Sequence, residues 1–346
     1  MQAASLRSIV AALVLAGACA CSSDDATVAP YQPYDFSTIL YDYSHRVVVA
    51  TYADLRDESQ ALVSAVAALD ANQPSLDAVA GAWRRVRAPW ESSDAFRFGP
   101  AETLDPSLNS WPVDMQQIDG VLASESELTP AFLRSLGPGV RGYHAIEYLL
   151  FRDGTTRAAK SMTQRERDYL TAAAQLLLED ATLLHGEWES GFAQDFAKAG
   201  QGHSPYPTQT DAAIEIVDGI IAELDRLANA KLAEPVLEQN VELVESQFSW
   251  NSLRDFEDNL RGARDAYLGA SASGDAQGID AYVKSKDEAL DWRVRAQLNE
   301  ALEQLATIPS PFEENLDAGA EIDATQDAIR IVIVTLRDTI RPLLMR

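Results

Sequence analysis

The chain has 346 residues, room for roughly two domains of ordinary size, with 53 acidic side chains against 28 basic and a formal net charge of −25. So acidic a body disfavours nucleic acid as a partner, since phosphate binding needs clustered lysine and arginine, and an anionic lipid surface would repel it for the same reason. Cations, conversely, are concentrated around it.

Residues 1–20 read as an export signal, with Arg7 as their only charge, an apolar run from Ile9 to Leu15 and small residues up to the cysteines. Both cysteines, Cys19 and Cys21, lie here, so the rest of the chain has neither a disulfide nor a thiolate ligand. A cysteine just after an apolar core suggests a bacterial lipoprotein. Cys21 is the preferred attachment residue, because Ser22-Ser23-Asp24-Asp25 then starts a polar tether over residues 21–35. Cys19 is the alternative cysteine, and cleavage without lipidation gives a soluble periplasmic protein. The expected location is therefore the bacterial envelope, with the outer membrane preferred and the lipid as the only membrane contact. The most apolar later segment, Ile329 to Met345, carries Arg330, Arg337 and Arg341 and reads as a packed amphipathic helix.

From there the pattern is helical throughout. Val47, Val48, Tyr52, Leu55, Leu62, Val66 and Leu69 form one apolar stripe between about 42 and 70. Leu76, Val79, Trp83, Val86 and Trp90 form a second, which Pro89 is expected to kink or interrupt. Residues 100–140 are rich in Pro, Gly, Asp and Ser and predict loops and short helices. Longer helices are expected at about 163–191, 210–231, 251–269, 283–307 and 320–342. Short connections between long helices imply antiparallel bundles. The breaker-rich Gly200-Gln201-Gly202-His203-Ser204-Pro205 divides the body into a first half, 36–205, and a second, 206–346.

His144 and Glu147 are i and i+3 after Gly142, hence on one helical face. Nitrogen and oxygen donors of this kind suit iron, zinc or manganese, although a hydrogen-bonded pair explains the same spacing. Glu91 and Asp94 repeat it beside Trp90, and buried acids there need a cation, an arginine (Arg84, Arg85 or Arg87) or water. Asp114 is either a further oxygen donor or the cap of a short helix, and Asp119 reads as surface. His45, His185 and His203 have no partner spacing. If the helix starts near Gly139, its positive end lies close to His144 and opposes a cation, so an anion or ligand carboxylate competes.

Gly142-Tyr143-His144-Ala145-Ile146-Glu147 resembles the GxHxxE signature of the imelysin family. Trp90–Pro100, Asn109–Asp114 with Ile118-Asp119, and Ser249–Gly262 resemble its other motifs in order, so the likeness spans about 36–342. It implies an all-α fold of two helical-bundle domains packed side by side, with the site at their junction, and a link to iron acquisition. By matching position it makes His144, Glu147, Glu91, Asp94 and Asp114 the metal-ligand candidates, iron preferred and zinc acceptable. Asn251, Ser252 and Asp255 line the same cleft from the second half. Asp94 stands where many relatives carry glutamate, so its reach is shorter.

The expected cargo is a metal ion or metal complex, with an inner- or outer-membrane transport component as partner. The family's peptidase label gives a metallopeptidase as one alternative. Yet Tyr148 occupies the slot a second zinc-binding histidine would need, and neither HExxH nor HxxEH occurs. A module for a siderophore or polysaccharide, stacking on Trp90, Trp111 and Trp250, is another.

Overall fold

Capping and apolar spacing set the helices. The computed structural model describes residues 34–269 and 276–346. The export signal and both cysteines lie outside the described residues, as does nearly all of the tether. Ser37–Asp42 continues through a π-helical turn, Tyr43–Val48, into α1 (Val49–Ala67). α2 (Gln73–Ser92) starts at Asn72, whose side chain accepts the Ser75 N–H. It runs through Pro89 without interruption, with the Ser93 N–H reaching the Pro89 carbonyl, and then tightens into a 3-10 turn, Ser93–Phe96. Short helices fill 100–140, as expected from the composition of that stretch.

α3 (Gly142–Leu150) is followed by a two-residue ribbon, β1 (Phe151–Arg152) with antiparallel β2 (Thr155–Thr156), the only sheet among the described residues. α4 (Gln164–Glu187) and α5 (Gln209–Arg226) each open with a reciprocal capping box, Thr163 with Glu166 and Thr208 with Asp211. α5 buries Ala212, Ala213, Ile216, Val217, Ile220 and Leu224, the 3–4 spacing of an amphipathic helix. It ends in a further π-helical turn, Leu227–Lys231. α6 (Ser252–Leu268), α7 (Glu288–Leu305) and α8 (Gly319–Thr335) complete the framework. The single helix expected over 283–307 is divided, because Asp287 leaves the helical region and its side chain accepts the Leu290 N–H, capping α7.

Asp35–Arg346 forms one compact unit. α1 packs on α2 and α4, and α7 packs on α8. Within it, α2 lies against α6, and the Ser93–Phe96 turn lies against both α5 and α6. Gly262 allows this approach: a Cβ there would overlap the Ser92 carbonyl. Among the described residues no helix is long and apolar enough to cross a membrane.

Candidate metal centre at the junction of the two halves

Gly142 has φ +79° and its Cα faces the Leu108 carbonyl so closely that no side chain fits, which seats the start of α3. The helix begins at Gly142, so His144 lies in its first turn. His144 and Glu147 are 1% and 0% exposed, with His144 Nδ1 3.1 Å from Glu147 Oε2. The other oxygen, Oε1, accepts the Phe248 N–H (3.2 Å), the Ser249 N–H (2.9 Å) and the Ser249 hydroxyl (2.7 Å). Glu147 is thus committed on both oxygens and, as an acceptor-only carboxylate, places the proton of His144 on Nδ1. It orients the imidazole, which differs from the oxygen-donor role expected of it. His144 Nε2 makes no hydrogen bond and lies 3.6 Å from Glu245 Oε1. Burial works against a charged ring here, but the carboxylates of Glu147 and Glu245 outweigh it and raise the His144 pKa.

Beyond Glu245 lies a cage of oxygens. The Lys231 ammonium is 2.9 Å from Glu91 Oε2 and 3.1 Å from each of Asp94 Oδ2, Glu245 Oε2 and Asn259 Oδ1. The Asn259 amide donates back to the Glu91 carbonyl (3.0 Å) and carboxylate (2.8 Å), tying α6 to α2. Arg87, fully buried, pairs with Glu91, with Glu245 (3.4 Å) and with Asp255 (3.4 Å), and donates to Asn109 Oδ1 (2.9 Å). Arg97 pairs with Asp94 and, at 3.1 Å, with Asp105.

Five carboxylates therefore share this interior, those of Glu91, Asp94, Glu147, Glu245 and Asp255, against the cations Arg87, Lys231 and Arg97. Desolvation pushes Glu91 up to about 7 in spite of Arg87 and Lys231. Burial opposes ionisation of Asp94 as well, yet Arg97, Lys231 and Arg226 hold it well below the usual carboxylate range. A groove of about 920 Å³ along α1, α2 and α6 reaches the cluster at Asn251, and a smaller opening of about 170 Å³ reaches Asp94 beside Arg97 and Arg226.

Of the residues singled out in the sequence, His144, Glu147, Glu91, Asp94 and Asp255 are brought together. Asp114 is not: it is exposed, and its Oδ1 accepts the Gln117 N–H (2.9 Å) as the cap of the helix Met115–Ala123. Asp119 accepts the Tyr148 hydroxyl (2.9 Å). Asn251 donates to Asp255 (2.8 Å), while Ser252 turns to Glu313 (2.5 Å). Among the described residues no three His, Cys, Asp or Glu side chains converge as a ready coordination set. Sequence reasoning missed Lys231, Glu245 and Asn259. Asn259 carried a signal, being i+4 from Asp255 on the same face of α6. Glu245 lies in an irregular stretch with no period to mark it.

The buried Glu313 gives a pH test of this region. Burial raises its pKa from 4.5 to about 7 against the opposing Ser252 hydrogen bond. The folded state thus favours the protonated form, so this stabilisation is complete below pH 4.5 and is lost as pH rises through 7. Glu313→Gln should remove that loss: between pH 4.5 and 8 the variant gains up to about 3 kcal/mol on the parent, read from urea unfolding midpoints. A pH-independent difference between the two would contradict it.

The Imelysin (peptidase M75) family model matches residues 48–337. The chain belongs to the imelysin family. It is also 31% identical over 280 residues to iron-regulated protein A of Synechococcus elongatus, covering 78% of this chain and 75% of that protein. Among solved structures, an iron-regulated protein A precursor from Parabacteroides distasonis superposes with TM-score 0.83 at 26% identity, covering 91% of this imelysin and 97% of that chain. An imelysin-like protein from Psychrobacter arcticum shares the fold, with TM-score 0.70 at 16% identity over 91% of this chain and 98% of its own.

Proposed function

We propose that this imelysin binds an iron ion as cargo at the junction of its halves, for uptake or handling in the cell envelope, held there by a lipid on Cys21. The observation that carries the reading is His144 Nε2, a buried imidazole nitrogen without a hydrogen-bond partner, aimed at Glu245. Glu245 shares its second oxygen with the cage that includes Glu91 and Asp94. One nitrogen and several hard oxygens suit ferrous or ferric iron, with zinc acceptable. The carboxylates of Glu91, Asp94 and Glu245 already gather around one cation, the Lys231 ammonium.

In this reading His144, Glu245, Glu91 and Asp94 are the donors and Glu147 fixes the imidazole. Asp114, as the cap of a separate helix, has no part in it. The named relatives support the link to iron, since two are iron-regulated protein A or its precursor. In the arrangement seen, Arg87 and Lys231 neutralise the donors, so the ion enters by replacing a cation that the protein supplies.

The test is elemental analysis of protein purified without added metal, with calorimetric titration of ferrous iron under anaerobic conditions. The parent is expected to retain iron and His144→Ala to bind it at least about tenfold more weakly, the size of effect typical of losing even an outer support of a metal site. A parent that neither retains a transition metal nor takes one up in titration would sink the reading.

A further inference from the structure

We propose that Lys231 is a tethered stand-in for the cargo cation: its ammonium fills the oxygen cage while the site is unloaded, and an incoming divalent or trivalent ion binds by expelling it. This rests on the metal-binding reading above and names the residue that controls loading.

Three observations single out Lys231. The first is the shell around its nitrogen: four oxygens from Glu91, Asp94, Glu245 and Asn259 lie within 2.9–3.1 Å. An ammonium has only three N–H donors, so four acceptors exceed what it can serve. A spherical cation has no such limit, and the cage has the composition of a hard-ion coordination shell. The second is the neighbouring His144 Nε2, which is 1% exposed, makes no hydrogen bond and lies 3.6 Å from Glu245, the carboxylate that links ring to cage.

The third is mobility of attachment. Arg87, the other central cation, is wholly enclosed in α2 and sits 5.2 Å from the Tyr143 ring. Lys231 instead ends the π-helical turn Leu227–Lys231, in which the Leu232 N–H bonds the Leu227 carbonyl at 3.0 Å. Its side chain is 11% exposed. π-turns recur at functional sites, and return to α-register would rotate Lys231 by roughly 100° about the helix axis, out of the cage.

Lys231 then filters cargo by charge. A monovalent ion brings no more charge than the ammonium and must displace a group held at high effective concentration. A divalent or trivalent ion brings more charge to the same oxygens than the ammonium does, and so prevails.

The experiment pairs a variant with a labelling measurement on the unaltered chain. In Lys231→Met, titrated with manganous and with anaerobic ferrous ion, affinity should rise at least about tenfold, a tethered competitor having been removed. Sodium chloride at 0.5 M should then weaken metal binding to the variant beyond its effect on the parent. In the parent, Lys231 should resist acetylation by an amine-reactive ester without metal and become labelled once metal is added, as read by mass spectrometry; this arm decides the matter if the variant does not fold. Metal binding by the variant alone would mean that no ion expels Lys231 from the parent, and it overturns the proposal together with the iron reading. Binding by the parent, with the variant equal or weaker and Lys231 labelling unchanged by metal, overturns the proposal and leaves the iron reading standing. No metal bound by either protein, with labelling unchanged, removes both.

Discussion

Arg87→Met is expected to lower the unfolding free energy by about 3–5 kcal/mol, the usual cost of breaking a buried ion pair by removing one partner. The replacement roughly preserves the side-chain stem while leaving Glu91, Glu245 and Asp255 without the guanidinium that faces all three. Arg87→Lys should recover only part of the loss, because one ammonium cannot reproduce a planar fork reaching three carboxylates and Asn109. The penalty should also shrink on going from pH 8 to pH 5, where a protonated Glu91 no longer needs a counter-charge; its pKa is already pushed up to about 7. Urea midpoints and thermal midpoints measure this directly. A loss below about 1 kcal/mol, the range of exposed pairs, would mean that the cluster is open to water in solution.

Gly262→Ala should be nearly as damaging, at about 3 kcal/mol, the upper end of what overpacking a tight contact costs. The added methyl would overlap the Ser92 carbonyl, a backbone atom that cannot rotate away, and so force α6 off the end of α2. Asn259, one turn earlier on α6, would be drawn from Glu91, loosening the bonds that tie α6 to α2. Gly120→Ala is the matched control: the glycine is exposed within the helix Met115–Ala123 with nothing near a new Cβ, so stability should rise by up to about 1 kcal/mol. Equal effects of the two substitutions in calorimetry would contradict the close approach of the halves.

The helices were legible because burial imposes a period that the chain must carry locally, as Ala212, Ile216 and Ile220 do along α5. Their ends were less so. Asp287 caps a new helix in the middle of a periodic run, and Pro89 sits in a helix whose next bond still forms. Half of the site could be read for the same reason: His144 with Glu147, and Glu91 with Asp94, are local pairs whose spacing alone places them on one face. Which direction each pair faces is a tertiary matter. Glu147 became an orienting carboxylate only because the Ser249 N–H and hydroxyl, 102 residues away, take its second oxygen. Lys231 reaches Glu91 across 140 residues, and no periodicity links the two. Asp114 illustrates the opposite case, in which one residue satisfied two local descriptions and the backbone geometry at Val113 and Gly139 selected the cap.

The cage draws on residues 91, 94, 231, 245 and 259, so its last members are specified late in synthesis. A polypeptide released before residue 245 would display the whole histidine motif and still lack Glu245 and Asn259, two of the four residues whose oxygens surround Lys231.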